Sequence, residues 1–512
     1  MSGRRRKGDG LNLRFLRRLC AAACLFPVCA AVHAGDQPQW GAAHSRNMVS
    51  AETGLPDAVA AEGEAGPLWS VGLGDNSYGT PVVAGGRVYI GANNLNPVDA
   101  RLQGDYGLLY CLSEKDGALL WKLGTPRIGG DDYLDWPGIA VCSPPTVEGD
   151  RVYAVTNRYQ IVCLDARGQE NGNDGPYLDE GVLMARDGEP PLEVTASDAD
   201  VLWIFDLKTQ AGIYPHDGAH ASPLLDGPWL YANSCNGVDN THKVIRNPDA
   251  PSLVVLDKRT GRLVARDGER IGPRVFHSTW SSPALGAVDG VQTVFFCGGD
   301  GVCYGFRALG HDEAPEPERV LERIWRFDPD PAAPKENVAE YLKDNQAGPS
   351  TIHSMPVWLD GRLYITGGGD TWWGKREAWL KCVDTSKPGD ATESGLLWTA
   401  PLKKFSMSTP CVADGLVFVT DGGGELSCVD AATGALLWAE DLGGEIWGSV
   451  LAADGKVYVG TRRGEVAVFA AAREKQLLSR ATLGAAISST PVAANGALFV
   501  ATQERIFAFG KR

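Results

Sequence analysis

The stretch GELSCVDAATGALLW, residues 424 to 438, holds the pattern that decides the fold. It places a cysteine inside an apolar run, continues into a tight polar turn, and ends on a lone tryptophan, Trp438. In the turn, Asp430 can accept hydrogen bonds from backbone N–H groups, and a glycine follows that is free to take a positive φ. Two apolar runs joined by such a turn predict a pair of antiparallel strands.

The same pattern recurs along the chain. Each copy begins with a short strand that usually carries proline near its start, where proline loses no ladder hydrogen bond. A β-branched and aromatic strand follows, then a third strand, then a fourth that usually ends in tryptophan. Eight copies begin at Gly79, Ser143, Ala221, Ser281, Ser354, Ser408, Gly448 and Ser489.

The spacing of the copies predicts the architecture. The last repeats are 40 and 41 residues apart, counted from Pro410 to Val450 and from Val450 to Pro491. Four short strands in about 40 to 45 residues is the period of a β-propeller blade. The eighth copy stops after its third strand, and PLWSVGL at 67–73 can supply the fourth. We predict an all-β fold over residues 67–512: an eight-bladed β-propeller of four-stranded antiparallel blades, closed by the N-terminal strand around Trp69.

Two repeated positions are explained by the repeat itself, because a repeated position meets a repeated environment. The position of Cys428 takes small apolar residues throughout, so cysteine there is expected to be a buried filler. Tryptophans are expected to dock neighbouring blades together, with gaps at Ala265 and Leu478. These tryptophans are Trp69, Trp121, Trp203, Trp325, Trp398 and Trp438.

The N-terminal segment resembles an export signal. Seven basic residues precede an apolar run from Leu19 to Val32, and small residues then allow cleavage near Ala34. We therefore expect residues 1–34 to be a signal peptide, residues 35–66 to be an N-terminal extension, and the mature protein to be periplasmic or secreted. No later run is long enough for a transmembrane segment.

Charge and cysteine content exclude several function classes. Without its first 34 residues the chain carries 41 Lys and Arg against 62 Asp and Glu, a net charge of −21. Such a surface repels phosphate backbones, so we expect no nucleic-acid partner. Nine cysteines remain with no C-x-x-C pair, which argues against covalent haem and a zinc ribbon. We expect a monomer.

The proline start, the Gly-x-Leu-x-Cys/Ala-x-Asp segment and the Thr-Gly-x-x-x-Trp turn resemble the pyrroloquinoline-quinone-like (PQQ-like) β-propeller repeat family. The resemblance covers residues 67 to 512 and implies the fold. That family includes quinone- and calcium-dependent alcohol dehydrogenases, a non-catalytic outer-membrane scaffold lipoprotein, and many exported proteins of unknown role. The dehydrogenases carry two adjacent cysteines beside the quinone, and this sequence has no adjacent cysteines.

One face of the predicted propeller collects chemically active side chains. Loops between the second and third strands lie at the same end as the crossovers between blades, and five of the seven histidines after residue 34 fall in them. Aromatic and charged residues there would form a ligand pocket. The predicted ligand-binding face comprises His216, His220, His242, His277, Trp280, His353, Asp370, Trp372, Trp373, Lys375, Trp447 and Arg462.

Three functions remain open at this point. The favoured one is a non-catalytic binding or scaffold module that holds a protein partner or small ligand on this face, because no catalytic constellation is complete. The alternative is a PQQ- and calcium-dependent dehydrogenase for an alcohol or sugar, with Asp370 or Asp217 as the base. The third is a carbohydrate-binding propeller, since sugars also stack on tryptophan. For the histidines, a transition-metal site is weighed against ordinary structural roles and is not predicted.

Overall fold

The computed structural model describes residues 35–511, apart from residues 97–98, 132–133, 135 and 314–318. The expected signal peptide, with its cleavage position near Ala34, lies outside the described residues.

Eight sheets, each built on four antiparallel strands, form the fold, and we number them blades 1 to 8 in chain order. Blade 1 contains the strands Val82–Ala84, Arg87–Asn93, Tyr106–Ser113 and Leu119–Pro126, and blade 2 contains Thr146–Glu148, Arg151–Val155, Gln160–Asp165 and Val201–Asp206. Blade 3 contains Leu224–Asp226, Trp229–Asn233, Leu253–Asp257 and Leu263–Arg266, and blade 4 contains Ala284–Val288, Val291–Cys297, Cys303–Arg307 and Arg323–Phe327. Blade 5 contains the strands Val357–Leu359, Arg362–Gly368, Ala378–Asp384 and Leu396–Leu402, and blade 6 contains Cys411–Ala413, Leu416–Thr420, Glu425–Asp430 and Leu436–Asp441. Blade 7 contains Leu451–Ala453, Lys456–Gly460, Glu465–Ala470 and Leu477–Thr482, and blade 8 contains Val492–Ala494, Ala497–Ala501, Arg505–Gly510 and Trp69–Gly72. The predicted all-β, eight-bladed propeller is confirmed.

The N-terminal strand completes blade 8. Trp69–Gly72 pairs antiparallel with Arg505–Gly510, and Trp69 faces Ala508. In blade 6 the equivalent pair is Trp438 facing Cys428. The ring is therefore closed by the two ends of the propeller sequence, and no blade lacks its fourth strand.

Five of the six predicted tryptophans join their blade to the next one by a hydrogen bond, whereas the buried Trp325 has no partner for its N–H among the described residues. Five indole N–H groups donate at 2.8 to 3.1 Å to a carbonyl in the third-to-fourth-strand turn of the following blade. The donor and acceptor pairs are Trp69 to Glu114, Trp121 to Ala166, Trp203 to Lys258, Trp398 to Ala431, and Trp438 to Ala472. The turn must lack a side chain at one point: a Cβ on Gly434, where φ is +71°, would lie 2.5 Å from the Trp398 ring.

One predicted gap in the tryptophan series is displaced by a residue. Ser479, not Leu478, faces Val468 in blade 7, whereas Ala265 faces Val255 in blade 3 as predicted. The turn of blade 7 is one residue longer than that of blade 6, so counting a constant distance from the third strand gives the wrong residue.

Insertions between third and fourth strands reach back over the preceding blade. Arg319–Val320 adds a parallel strand to blade 3, and Gly389–Asp390 does the same for blade 4. Asp198, in the insertion of blade 2, forms a parallel bridge with Lys122 of blade 1. Each insertion thereby covers an outer edge that would otherwise present unpaired backbone groups.

The N-terminal extension contacts all eight blades. Residues 37–52 form hydrogen bonds with the first strand of every blade or with a residue adjoining it, and Val49–Ser50 pairs parallel with blade 7. These bonds join Gln37 to Val83, Pro38 to Val147, Arg46 to Ser222 and Pro223, His44 to Leu285, Ser45 to Trp358, Asn47 to Val412, Met48 to Ala452, and Glu52 to Asn495. The extension therefore occupies the centre of the ring and satisfies the inner edges of the blades.

Helices are few and short. They are the 3-10 turns Gly168–Asn171, Gly272–Arg274 and Val338–Tyr341 and the α-helices Glu180–Met184 and Leu207–Gln210. Within the described residues, no helix has the length and apolar character needed to cross a bilayer. All nine cysteines in this part of the chain are buried free thiols.

Candidate functional site

A cavity of about 650 Å³ lies on the propeller axis. Every crossover between successive blades contributes to its wall, from Tyr78 before blade 1 to Ser488 before blade 8. Trp40 of the N-terminal extension also lines it. Because all the crossovers leave the blades at one end, residues far apart in sequence meet here.

Asp370 organises one side of this site. Its Oδ1 accepts backbone N–H groups from Trp372 at 2.9 Å and Trp373 at 3.2 Å, which fixes the turn after the second strand of blade 5. Its Oδ2 lies 3.0 Å from Nδ1 of His277 and 3.0 Å from Nε2 of His353. One fully buried carboxylate thus holds two imidazoles from two different crossovers.

The electrostatics of this group follow from burial and charge. Burial alone would raise the pKa of Asp370, but the two imidazoles outweigh it and hold the pKa well below its usual range. Burial acts to lower the pKa of His277, and the attraction of Asp370 outweighs it, so the pKa of His277 is raised. The carboxylate is therefore ionised and stabilises positive charge on His277.

Three histidines pack against one another beside Asp370. The ring centroids of His216 and His242 are 4.8 Å apart, those of His216 and His277 are 5.0 Å apart, and those of His242 and His277 are 5.3 Å apart. One nitrogen from each ring lies within 4.8 Å of the other two. Burial lowers the pKa of His216 to about 2 and also lowers the pKa of His242, so both rings are neutral at pH 7.

Trp280 sits at the centre of the aromatic wall. Its ring is 4.8 Å from that of His353, 5.1 Å from His220 and 6.0 Å from Trp372, centroid to centroid. The Trp280 and Trp372 planes are perpendicular, at 89°, and Trp372 and Trp447 meet at 86°. The tryptophans therefore form a faceted wall and not a single flat slot.

Charged side chains are scarce at the cavity surface. Among the described residues that line the cavity, Asp217 is the one acidic residue, and burial raises the pKa of its carboxyl group to about 6. Arg462 stacks its guanidinium 3.9 Å from the Trp447 centroid and donates to Ser488 at 2.8 Å. The cavity is otherwise lined by aromatic, aliphatic, hydroxyl and imidazole groups.

The predicted residues divide into those on the cavity wall and those behind it. Behind the wall, Asp370 has both oxygens engaged and His216 is fully buried, while the Lys375 ammonium pairs with Asp330 and Glu377 instead of facing the cavity. Arg462 reaches the site by stacking on Trp447. Those on the wall are Asp217, His220, His242, His277, Trp280, His353, Trp372, Trp373 and Trp447.

Several lining residues were not predicted. Trp40 belongs to the non-repeating extension, and no pattern placed that extension inside the ring. Met355, Thr409 and Thr490 lie at the starts of first strands, beside the repeat prolines. Their position in the repeat could have predicted that they line the cavity, because the start of each first strand faces the axis at the crossover end.

Comparison with known proteins gives one family and several solved structures. A family model described as outer membrane protein assembly factor BamB matches residues 58–173 and 388–501. Among curated proteins, no sequence matches this chain.

Solved structures share the fold at low sequence identity. BamB from Moraxella catarrhalis is 13% identical with a TM-score of 0.51, over 87% of this chain and 97% of that one. Quinohemoprotein alcohol dehydrogenase ADHIIG from Pseudomonas putida HK5 is 12% identical with a TM-score of 0.58, over 93% of this chain and 80% of that one. The computationally designed Ika8 protein is 11% identical with a TM-score of 0.51, over 87% and 99%. At these identities the likeness concerns the fold alone.

Proposed function

Because this chain is a β-propeller of PQQ-like repeats with an aromatic cavity on its axis, we propose that it is an exported binding protein that holds a small ligand in that cavity. Export is supported by the sequence of residues 1–34 and by the likeness to an outer membrane assembly factor. The ligand is expected to be small, largely apolar, and equipped with oxygen atoms that accept hydrogen bonds.

Unsatisfied donors on the cavity wall carry this proposal. The indole N–H groups of Trp280 and Trp447 are buried and have no hydrogen-bond partner among the described residues. Leaving a buried donor unpaired costs about 1–3 kcal/mol. A ligand that presents oxygen acceptors to these groups would recover that free energy, while its apolar surface packs on the rings.

The wall fits a calcium–quinone pair poorly. Calcium takes about six to eight oxygen ligands, and Asp217 is the carboxylate among the described lining residues. Asp370, the other candidate base, is enclosed by His277 and His353. The residues present therefore favour binding of another ligand over quinone chemistry.

A direct test uses 7-methoxycoumarin, a flat neutral molecule with oxygen acceptors and no hydrogen-bond donor. We expect it to raise the melting temperature of the full chain saturably, with one molecule bound, in buffer containing EDTA. Trp280→Phe removes the N–H donor and keeps an aromatic ring, so the dissociation constant should rise about 5- to 10-fold.

Trp358→Phe is the matched control, because the Trp358 N–H donates to Thr385 and Trp358 does not line the cavity. It should bind the probe like the wild type. A probe that fails to bind, or binds both variants equally, would contradict the proposal. Stabilisation by PQQ with calcium, or by maltohexaose, in place of the coumarin would point to the dehydrogenase or carbohydrate function instead.

A further inference from the structure

We propose that His216, His242 and His277 bind one transition-metal ion of the kind that favours imidazole nitrogen, such as zinc or copper, and that an open coordination position of this ion faces the axial cavity. The open coordination position would anchor the cavity ligand of the proposed function, and only this role of the ion rests on the proposed function. The geometry of the three rings supports the metal site independently of that function.

The spacing of the rings matches metal coordination. An ion bound to three imidazoles at about 2.0–2.1 Å in tetrahedral geometry holds their ring centroids about 5 Å apart. The observed separations are 4.8, 5.0 and 5.3 Å. The rings are inclined to one another at 85°, 70° and 41°, so no pair is stacked face to face. Small rotations of the side chains would bring the three nitrogens onto one ion.

Asp370 supplies the outer partner that a metal-bound histidine usually has. Its carboxylate engages Nδ1 of His277 at 3.0 Å, which leaves Nε2 of that ring as the coordinating atom. A carboxylate in this position fixes the ring orientation and makes the ligand nitrogen more basic.

The backbone around the site is built to bring the rings together. A Cβ on Gly237 would lie 2.7 Å from Cβ of His216, so only glycine lets this loop close over the histidine. His242 itself has a positive φ of 58°, an uncommon conformation for a residue other than glycine. Uncommon backbone conformations held by surrounding structure concentrate at functional sites.

Access comes from one side. His216 is fully buried, whereas His242 and His277 line the cavity. An ion on the three nitrogens would therefore be closed on the protein side and open towards the cavity, the arrangement of three-histidine sites that bind an exogenous ligand. An oxygen or nitrogen donor on the cavity ligand would take the open position.

The test measures metal binding by the full chain after EDTA treatment and dialysis. Titration with Zn²⁺ should show one equivalent per chain by calorimetry and elemental analysis. Co²⁺ should replace it with the visible absorption of a four- or five-coordinate ion, and Cu²⁺ should show electron-paramagnetic couplings to imidazole nitrogen. These spectra need no variant and report directly on the ligands.

Variants then assign the residues. His216→Gln combined with His242→Gln should weaken Zn²⁺ binding at least 100-fold, while His311→Gln, an exposed histidine that pairs with Asp226, should leave it unchanged. Asp370→Asn should keep the one-to-one stoichiometry and weaken affinity about 10- to 100-fold, as expected of a positioning residue. Near-UV circular dichroism checks that each variant is folded.

Three results would overturn the inference: no Zn²⁺ bound by the wild type at micromolar concentration, a Co²⁺ spectrum of six oxygen ligands, or equal loss in the double variant and His311→Gln. Coumarin binding in EDTA is independent of the metal. Failure of metal binding with coumarin binding intact therefore removes this inference alone, and failure of coumarin binding removes the proposed function.

Discussion

Arg46 donates a hydrogen bond from its guanidinium to the carbonyl oxygen of Pro223 at 3.0 Å, in the centre of the propeller. Further bonds reach the carbonyls of Pro283, Ser222 and Trp40, and the side chain is fully buried. Burial lowers the pKa of this guanidinium to about 9. One cation from the N-terminal extension thus joins blades 3 and 4 through backbone acceptors.

Arg46→Met is expected to lower the free energy of unfolding by roughly 2–5 kcal/mol, because it leaves several buried carbonyls without donors. Chemical denaturation followed by tryptophan fluorescence measures the change. Arg473→Met, which removes an exposed arginine paired with Asp430, should change it by less than about 1 kcal/mol. Equal effects of the two changes would show that the central contacts of Arg46 are not stabilising.

Trp69 provides a test of ring closure. Its ring faces Ala508 of blade 8, and its N–H donates to Glu114 of blade 1 at 2.9 Å. Trp69→Phe should cost about 1 kcal/mol for the lost hydrogen bond, and Trp69→Ala about 3–5 kcal/mol for the lost packing. The thermal unfolding midpoint and urea denaturation measure both.

Leu68→Ala is the control for Trp69, since the neighbouring Leu68 is 45% exposed. It should have little effect. If Trp69→Ala were as mild as Leu68→Ala, the borrowed strand would not be needed to hold the ring together.

His220 should make the protein sensitive to acid. Burial lowers its pKa to about 4 from an ordinary value of 6.5. Between these two pH values His220 is protonated in the unfolded chain and neutral in the folded protein. The free energy of unfolding is therefore highest above pH 6.5 and falls as the pH falls from 6.5 towards 4. Titration of this one group lowers the free energy of unfolding by at most about 1.4 kcal/mol per pH unit.

The measurement for His220 is the free energy of unfolding between pH 7.5 and 4.5. His220→Gln should flatten the decline over this range, whereas His311→Gln, with a half-exposed side chain, should follow the wild type. A variant curve parallel to that of the wild type would mean that His220 is not the group responsible.

The sequence was sufficient for features that repeat and insufficient for those that do not. Eight copies of one strand pattern predicted the blades, and the position of Trp69 predicted the closing strand, because each repeat must bury the same faces. The same counting misplaced one residue, Ser479, where a turn is one residue longer. Loop clustering brought His277, His353 and Asp370 to one end, but nothing in the pattern indicated that the Asp370 carboxylate would bond both imidazoles.

The N-terminal extension shows most clearly which contacts could not be predicted from the sequence. Residues 35–66 have no repeat and little periodicity, so their path had no local signal. Their position follows from hydrogen bonds to all eight blades, and Trp40 reaches the cavity as a result. Contacts that depend on many distant segments at once cannot be derived from the spacing of residues along one segment. Lys375 illustrates the same point, because its partner Asp330 lies in the preceding crossover.

Asp200 gives a prediction of opposite sign to that for His220. Its carboxylate is fully buried, and one oxygen each from Asp165, Asp174 and Asp200 lie within 4.8 Å of one another. Burial, with a smaller contribution from the nearby carboxylates, raises the pKa of Asp200 to about 6 against the backbone hydrogen bond that Asp174 donates. The folded protein therefore holds a proton that the unfolded chain has released, so ionised Asp200 destabilises the fold above about pH 6, and this penalty fades as pH falls towards 4.

Asp200→Asn removes that penalty while retaining an oxygen that can accept the N–H of Asp174. The variant should be more stable than the wild type by about 1–3 kcal/mol at pH 7.5, and the difference should shrink to near zero at pH 4. Urea denaturation at a series of pH values measures it. Asp187→Asn, at an exposed carboxylate on the same insertion, is the control and should shift neither curve appreciably. A variant that is less stable than the wild type at pH 7.5 would mean that the ionised carboxylate of Asp200 is stabilised by its surroundings, and the assigned direction of its pKa would be wrong.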